Sequence, residues 1–263
     1  MMAAAHGRGD TSRGDDREVT LASARTSAAA ATAVLVSAVF GGCAGGPARA
    51  GEAPDLSGIW WASEYHAGIE PLGGGLPLTE AGKAAWETNA AGLADGAIAD
   101  AARRFCVPDG VPRVLATPYP FEIVQAPPGQ VTILYELNHQ IRTVVLDRPF
   151  DDNALMTFPW FNGHSIGRYE GDTLVIETAG FNDRTFLDAT GAPHTGDLRT
   201  TERLRRIGET QLEDVVTVTD PEYYRTPWQA RFVYTRRSDV RIEDYVCGEP
   251  HRDLSAVAGV RRR

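Results

Sequence analysis

From Phe121 onward the chain alternates apolar and polar residues in short stretches, which are separated by glycine, proline, asparagine and aspartate. A period of two is typical of β-strands with one buried face, and these turn residues are typical of hairpins. The clearest hairpin lies within Trp160–Arg206, where the alternation continues on both sides of Glu170-Gly171-Asp172. The pattern predicts strands at 121–126, 130–137, 139–147, 164–170, 173–181, 198–207, 211–219, 228–236 and 239–246.

Tightly joined consecutive strands must be antiparallel neighbours. Eight or more strands in meander order favour a closed up-and-down β-barrel, because closure removes exposed strand edges. The predicted fold is therefore an all-β, antiparallel up-and-down barrel, with a two-sheet sandwich as the alternative. A barrel of this size either fills its interior with side chains or holds one small ligand.

The segment before these strands predicts a short first strand and then helices. Pro54–Trp61 is a turn followed by an aromatic strand. Thr79 is a suitable helix N-cap, and the alanine-rich run from there to Arg104 predicts one or two short helices, interrupted near Gly92 and Gly96.

Residues 1–50 differ in composition from the rest and predict a polar tail followed by an export signal. Arg25 precedes the small and apolar run SAAAATAVLVSAVFGG, which is followed by Cys43 and by Ala48-Arg49-Ala50. Cleavage after Ala50 would release a free protein, whereas cleavage before Cys43 would leave a lipid-anchored one. A buried alanine-rich helix is the alternative. We expect an exported protein, periplasmic or extracellular, with a single β-barrel domain at 51–263.

The cysteines agree with export. Outside the signal region only Cys106 and Cys247 remain, and this predicts a disulfide, with two unrelated buried thiols as the alternative. The chain has a formal charge of −9, and removal of residues 1–50 makes it −10. Such a surface repels phosphate backbones, which argues against nucleic acid as a partner.

The chain has no HExxH, GxSxG, P-loop, dinucleotide or CxxC motif, so candidate chemistry must come from single residues. Strand alternation places Glu202 with Leu198, Thr200 and Leu204 on an apolar, inward face. Burial would raise the pKa of this carboxyl group towards values useful for proton transfer. We expect Arg168 or a histidine as its partner; a purely structural ion pair is the alternative.

Two histidines are candidates for the proton transfer, because the pKa of a free histidine is near neutrality. His164 begins a strand and shares one face with Arg168, while His194 lies in the loop before the next strand pair. Asp183 is expected either to orient a histidine or to form a turn. A metal site can be assembled from His139, His164, His194 and Glu202, but their spacing fits no short motif, and no metal is predicted.

Aromatic residues are frequent, and most are expected in the core, with a subset around a cavity for an apolar or aromatic ligand. They are Trp60, Trp160, Phe161, Tyr169, Phe181, Tyr223, Tyr224 and Trp228.

The motifs GHSIGRYEGDTLVIET, GFNDRTFLD, PHTGDLRTTERLRR, DPEYYRTPW and EDYVC, with PYPFEIVQ and ILYE upstream, resemble a family of uncharacterised, exported, lipocalin-like bacterial proteins. The resemblance covers roughly residues 54–250. Gly58-Ile59-Trp60 also resembles the opening of a lipocalin, in which the Trp closes one barrel end. The resemblance implies export and a lipocalin-like β-barrel, and it implies no activity.

Two functions remain open. The first is an exported enzyme that performs cofactor-free acid/base chemistry (hydrolysis, elimination, isomerisation or cyclisation) on a small apolar or aromatic molecule inside the barrel. Glu202 and His164 would transfer protons, Arg168 would stabilise an anion, and Asp183 and His194 would orient these groups or act as a second acid/base pair. The alternative is a carrier of a hydrophobic ligand. A third hypothesis is a cell-surface scaffold whose barrel interior is filled by side chains. Such a protein needs neither a catalytic nor a ligand-binding site.

Overall fold

A closed barrel forms the centre of the protein in a computed structural model that describes residues 53–62, 65–151, 155, 157–245 and 247. Within these residues the barrel has nine strands in sequence order. They are β1 (Gly58–Ala62), β2 (Phe121–Val124), β3 (Gln130–Tyr135), β4 (Gln140–Leu146), β5 (His164–Glu170), β6 (Thr173–Ala179), β7 (Arg199–Arg206), β8 (Gln211–Thr219) and β9 (Trp228–Arg236). The predicted barrel is thus confirmed.

Closure is made by β1, which pairs antiparallel with both β2 and β9. The predicted strand at 239–246 is wrong, because the described residues between Arg237 and Tyr245 form no strand. The physical reason is that β1 already occupies the free edge of β9. The segment instead runs along another part of the chain, where Glu243 N–H donates to Glu136 at 3.0 Å and Tyr245 N–H donates to His139 Nε2 at 2.7 Å.

One strand pair departs from the predicted antiparallel order. β4 and β5 are parallel and share only three residue pairs, which are Val144 with Ser165, Val145 with Ile166, and Leu146 with Gly167. Parallel neighbours need a long connection, and the stretch from Asp147 to Gly163 is long enough to return the chain to the starting end of β4. The other eight neighbouring pairs in the barrel are antiparallel.

Alternating residues of the strands fill the barrel interior. Fully buried interior side chains include Trp60, Ile123, Val131, Ile133, Val144, Leu174, Ile176, Leu204, Leu212, Val216 and Tyr234. Trp60 donates its indole N–H to the Leu56 carbonyl at 2.9 Å, and the guanidinium group of Arg236 lies 5.8 Å from its ring centre. The first strand is therefore anchored by its tryptophan.

The predicted helices are α1 (Glu80–Asp95) and α2 (Ala101–Phe105), and two short 3-10 helices follow at Arg113–Ala116 and Leu137–His139. The hydroxyl group of Thr79 caps α1 by accepting the Gly82 N–H at 3.0 Å. Gly96 ends α1 with a φ of 80°, whereas the break expected near Gly92 is wrong. Gly92 instead lets Ile98 pack closely against the helix, because a Cβ at this position would lie 2.5 Å from an Ile98 carbon.

The disulfide between Cys106 and Cys247 is present, with the two Cα atoms 5.7 Å apart. It ties the end of α2 to the segment that follows β9. The predicted export signal at 1–50, including Cys43, lies outside the described residues. Within the described part of the chain, no helix combines the length and the hydropathy that crossing a bilayer requires.

Candidate functional site

Glu202 lies inside the barrel and is fully buried. The alternation of β7 directs Thr200, Glu202 and Leu204 inward, while Arg203 and Arg205 are exposed. This is the orientation that the pattern of apolar residues predicts. A carboxylate in such a place must be paired to remain charged.

The partner of Glu202 is Arg142 of β4, and the prediction of Arg168 is wrong. Arg142 Nη1 donates to Glu202 Oε1 at 3.1 Å, and its Nη2 donates to the other carboxylate oxygen. Arg142 also donates to Ser165 Oγ at 2.9 Å and to Thr178 Oγ1 at 2.7 Å. Although burial lowers the pKa of Arg142, the charge of Glu202 raises it overall, so the guanidinium group stays charged.

A second interior carboxyl group, Asp214 of β8, lies beside Glu202, and neither of its oxygens accepts a hydrogen bond from a donor among the described residues. Burial and then the negative charge of Glu202 raise the pKa of Asp214 well above its usual range. Arg142 is already neutralised by Glu202, so Asp214 is the carboxyl group that retains a proton. We call Arg142, Ser165, Thr178, Glu202 and Asp214 the buried polar network.

His164 and Arg168 point away from the barrel interior, contrary to the prediction that they act together with Glu202. The buried residues of β5 are Ser165 and Gly167, so the other face is outside. Arg168 is exposed and forms ion pairs with Glu170 at 2.8 Å and with Glu177 at 2.5 Å. The face of β5 that turns inward is instead the one that carries Ser165 and Gly167, with Tyr169 packed against the core near its end.

Asp183 and His194 lie in the connection between β6 and β7 and form no hydrogen bond with Glu202 in the described structure. Asp183 is exposed. His194 is half-buried, and its Nδ1–H donates to the Thr195 carbonyl at 3.1 Å. Burial lowers the pKa of His194, partly offset by this hydrogen bond and by the charges of Asp220 and Asp183. Asp183 thus acts on His194 electrostatically, while its predicted orienting role stays a prediction.

The four residues of the metal alternative are not gathered in one place. His139 accepts the Tyr245 N–H, His164 is outside the barrel, and Glu202 is bound to Arg142. Among the residues that the structure describes, no group of three or more His, Cys, Asp or Glu side chains is placed to hold a metal ion.

Sequence reasoning missed Arg142 and Asp214, although a signal was present for Asp214. Arg142 lies between Gln140 and Val144 on the inward face of β4, and Asp214 lies between Leu212 and Val216 on that of β8. A charged residue on the apolar side of an alternating strand is the pattern that identified Glu202. The same test would have found Asp214. It would not have found Arg142, because the exposed face of β4 carries Ile141 and Val145 and looks no less apolar in the sequence.

A large cavity of about 1100 Å³ lies against the outer face of β4 and β5. Its walls include Ile141, Thr143 and Val145 of β4, His164 and Ile166 of β5, residues 148–151 and 157–163, and Asn182 and Arg184. We call this cavity the aromatic groove, because Phe150, Phe158, Trp160 and Phe161 all line it. Arg142 and Ser165 of the buried polar network line it as well.

Large apolar side chains are unusually exposed in the aromatic groove. The exposed fraction is 66% for Ile141, 61% for Phe158 and 57% for Trp160. Trp160 stacks on the His164 ring, with 4.5 Å between ring centres, and His164 Nε2–H donates to the Phe158 carbonyl at 2.8 Å. His164 therefore holds two aromatic residues of the groove in position.

A second cavity, of about 680 Å³, lies beside the disulfide and includes Tyr65, Tyr119 and Tyr245 in its wall. Its buried charges are already paired. Arg113 forms hydrogen bonds with Asp100 at 2.6 and 3.0 Å and an ion pair with Asp109 at 3.1 Å. These contacts hold α2 and the following 3-10 helix together, which is a structural role.

Comparison with known proteins adds little to this description. No family model and no curated protein matches the chain. Among solved structures, a crystal structure of a mutant of the fluorescent protein UnaG has 18% sequence identity and a TM-score of 0.34, and the match covers 70% of this chain and 97% of that chain. The resemblance to a lipocalin-like exported family stays a prediction.

Proposed function

We propose that the protein is an exported carrier that binds a small apolar or aromatic molecule in the aromatic groove. The observation that supports this proposal is the gathering of exposed Ile141, Phe158 and Trp160 around one cavity. Single exposed apolar residues are ordinary on protein surfaces, whereas a contiguous apolar patch in a concave site is typical of ligand binding.

The groove is a better place for the ligand than the barrel interior, which is where the sequence predicts it. Interior positions are filled by side chains such as Trp60, Ile133 and Tyr234, each buried in the core. The groove offers about 1100 Å³, which is enough for a ligand of drug size. Ligand binding there needs no opening of the barrel.

Export is part of the proposal and is supported by the disulfide between Cys106 and Cys247. Disulfides persist in oxidising compartments and are rare in the cytosol. The protein would act in the periplasm or outside the cell, either free or anchored through a lipid on Cys43.

The test is binding of a neutral fluorescent probe, N-phenylnaphthylamine, to the full chain. We expect Trp160→Ala to weaken binding about tenfold, because it removes an aromatic contact surface from the groove. Phe105→Ala is the matched control, since Phe105 is equally exposed on α2 and does not line the groove. Equal affinity of the wild type and the Trp160 variant, or equal losses in both variants, would contradict the proposal.

The second candidate function is acid/base catalysis on the bound molecule. The observation in its favour is that Arg142 and Ser165 line the groove while Arg142 also binds Glu202. A proton carried by Asp214 and a carboxylate at Glu202 are the two forms that general acid and general base catalysis require. Because a guanidinium group that stays charged does not relay protons, the bound molecule itself would have to reach Glu202 or Asp214 past Arg142.

This candidate is tested with the compound that co-purifies with natively expressed protein. Glu202→Gln should lower its conversion by about 10² to 10⁴ if Glu202 takes part in proton transfer, as followed by chromatography and mass spectrometry. If Glu202 only pairs with Arg142, the same change should instead cost roughly 3 to 5 kcal/mol of unfolding free energy, because it leaves a buried cation unpaired. A folded variant with unchanged conversion would remove the catalytic candidate and leave the carrier.

A further inference from the structure

The charged residues of the aromatic groove are mostly cations. Among the described residues that line it, Arg142, Arg148 and Arg184 are cations, and Asp151 is the one carboxylate. Arg142 is neutralised by Glu202 inside the barrel. Arg148 and Arg184 are both exposed, so two guanidinium groups remain available at the groove.

These two arginines differ from most arginines on the barrel surface. Arg168 and Arg203 pair with Glu170, while Arg205 and Arg231 pair with Glu213. By contrast, the side chains of Arg148 and Arg184 have no hydrogen-bond or ion-pair partner in the part of the chain that the structure describes. In a chain with a formal charge of −9, unpaired cations beside an apolar cavity are an unusual combination.

We propose that the ligand of the aromatic groove is an anionic amphiphile, with an apolar or aromatic body and a carboxylate or sulfonate group. This inference rests on the proposed binding function and names its ligand class. The body lies against Phe158 and Trp160, and Arg148 and Arg184 bind the anion. Guanidinium groups suit this role because their planar donors match the oxygens of such anions.

The charges also give a basis for selectivity. A neutral ligand of the same shape makes only the apolar contacts, and a cationic one is repelled by the two guanidinium groups. Since both arginines are exposed, water and salt screen each contact, and each should change the affinity by about two- to fivefold. The two together should produce about a tenfold preference for the anion.

Two fluorescent probes with the same aromatic body provide the test, namely anilinonaphthalene sulfonate, which is anionic, and N-phenylnaphthylamine, which is neutral. We expect the double change of Arg148→Gln and Arg184→Gln to weaken binding of the sulfonate about tenfold and to leave binding of the neutral probe unchanged. Added salt should weaken sulfonate binding to the wild type and have little effect on the variant. Arg104→Gln is the matched control, because Arg104 is exposed and does not line the groove.

The outcomes separate this inference from the proposed function. If the neutral probe binds in a Trp160-dependent way but the arginine changes leave sulfonate binding unaltered, the groove binds ligands without selecting anions and this inference is wrong. If neither probe depends on Trp160, the binding function itself fails. Equal losses of both probes in the arginine variant would show that the groove has changed shape, and would also contradict selection by charge.

Discussion

At the scale of single residues, one cation determines the state of two interior carboxyl groups. Glu202 and Asp214 lie on neighbouring strands and are both fully buried. Arg142 forms an ion pair with Glu202 and no hydrogen bond with Asp214, while burial beside Glu202 raises the pKa of Asp214 well above its usual range. An ion pair between Arg142 and Glu202 beside a protonated Asp214 carries no net charge, which lowers the desolvation penalty of these three buried groups.

The protonated state of Asp214 predicts a pH-dependent stability. The folded protein holds this proton more tightly than the unfolded chain, in which an aspartate titrates near about 3.9. Stability should therefore decrease as pH rises above about 4, by up to about 1.4 kcal/mol for each unit, until the raised pKa is reached. Asp214→Asn removes the titration, so its stability relative to the wild type should increase as pH rises above about 4, until the raised pKa of Asp214 is reached.

Urea unfolding at several pH values measures this difference. Asp197→Asn is a suitable control, since Asp197 is an exposed carboxylate, and its effect should be small at each pH. A difference between wild type and Asp214→Asn that stays constant over the whole range would mean that Asp214 holds no proton in the folded state.

At the scale of the elements, the groove is a consequence of the parallel pair. β4 and β5 share only Val144–Leu146 and Ser165–Gly167, so within the described chain no strand pairs with Gln140–Thr143 on the side away from β3. The returning connection passes this region and supplies Phe158 and Trp160 to the groove. An antiparallel hairpin at the same place would need only a short turn, which would supply no such wall.

Close packing at this junction requires a glycine. A Cβ on Gly167 would lie 2.7 Å from a methyl carbon of Val144 and 3.3 Å from the Val175 carbonyl oxygen. The absence of a side chain at Gly167 lets β4 and β5 approach each other closely. It also explains why the face of β5 that carries Gly167 is the one that points into the barrel. His164 and Arg168 are outside because Ser165 and Gly167 are the residues small enough to be inside.

At the scale of the whole molecule, strand closure and one covalent link hold the ends of the fold together. β1 joins β9 to complete the barrel, and the segment after β9 is tied back to α2 by Cys106 and Cys247, which are 141 positions apart. A link across so long a loop lowers the entropy of the unfolded chain considerably.

Replacement of both cysteines by serine should therefore lower stability by at most about 4 to 5 kcal/mol, on the loop-entropy model. For a protein of this size the melting temperature should decrease by roughly 10 to 15 °C. Differential scanning calorimetry with and without reductant measures the effect, and reduced wild type should melt like the double variant. Identical melting temperatures in all samples would mean that the disulfide does not stabilise the fold.

Sequence alone determined the features that depend on neighbouring residues. The period of two identified β2 to β9, Thr79 and Gly96 marked the ends of α1, and the two remaining cysteines indicated the disulfide. Alternation also placed Glu202 inside, because Leu204 and Thr200 share its face and the arginines occupy the other. The strands, the helix ends and the orientation of Glu202 depend on interactions between residues close in sequence. The disulfide could be predicted because only two cysteines remain to pair outside the signal region.

Only the tertiary structure decided the features that join distant parts of the chain. The pairing of Glu202 with Arg142 spans 60 positions and crosses the barrel, and alternation does not reveal which strand faces which. On β5 both faces carry polar and apolar residues, so the inward face depends on how closely β4 approaches. The aromatic groove depends on the direction of one strand, because the parallel β5 requires the long connection that carries Trp160.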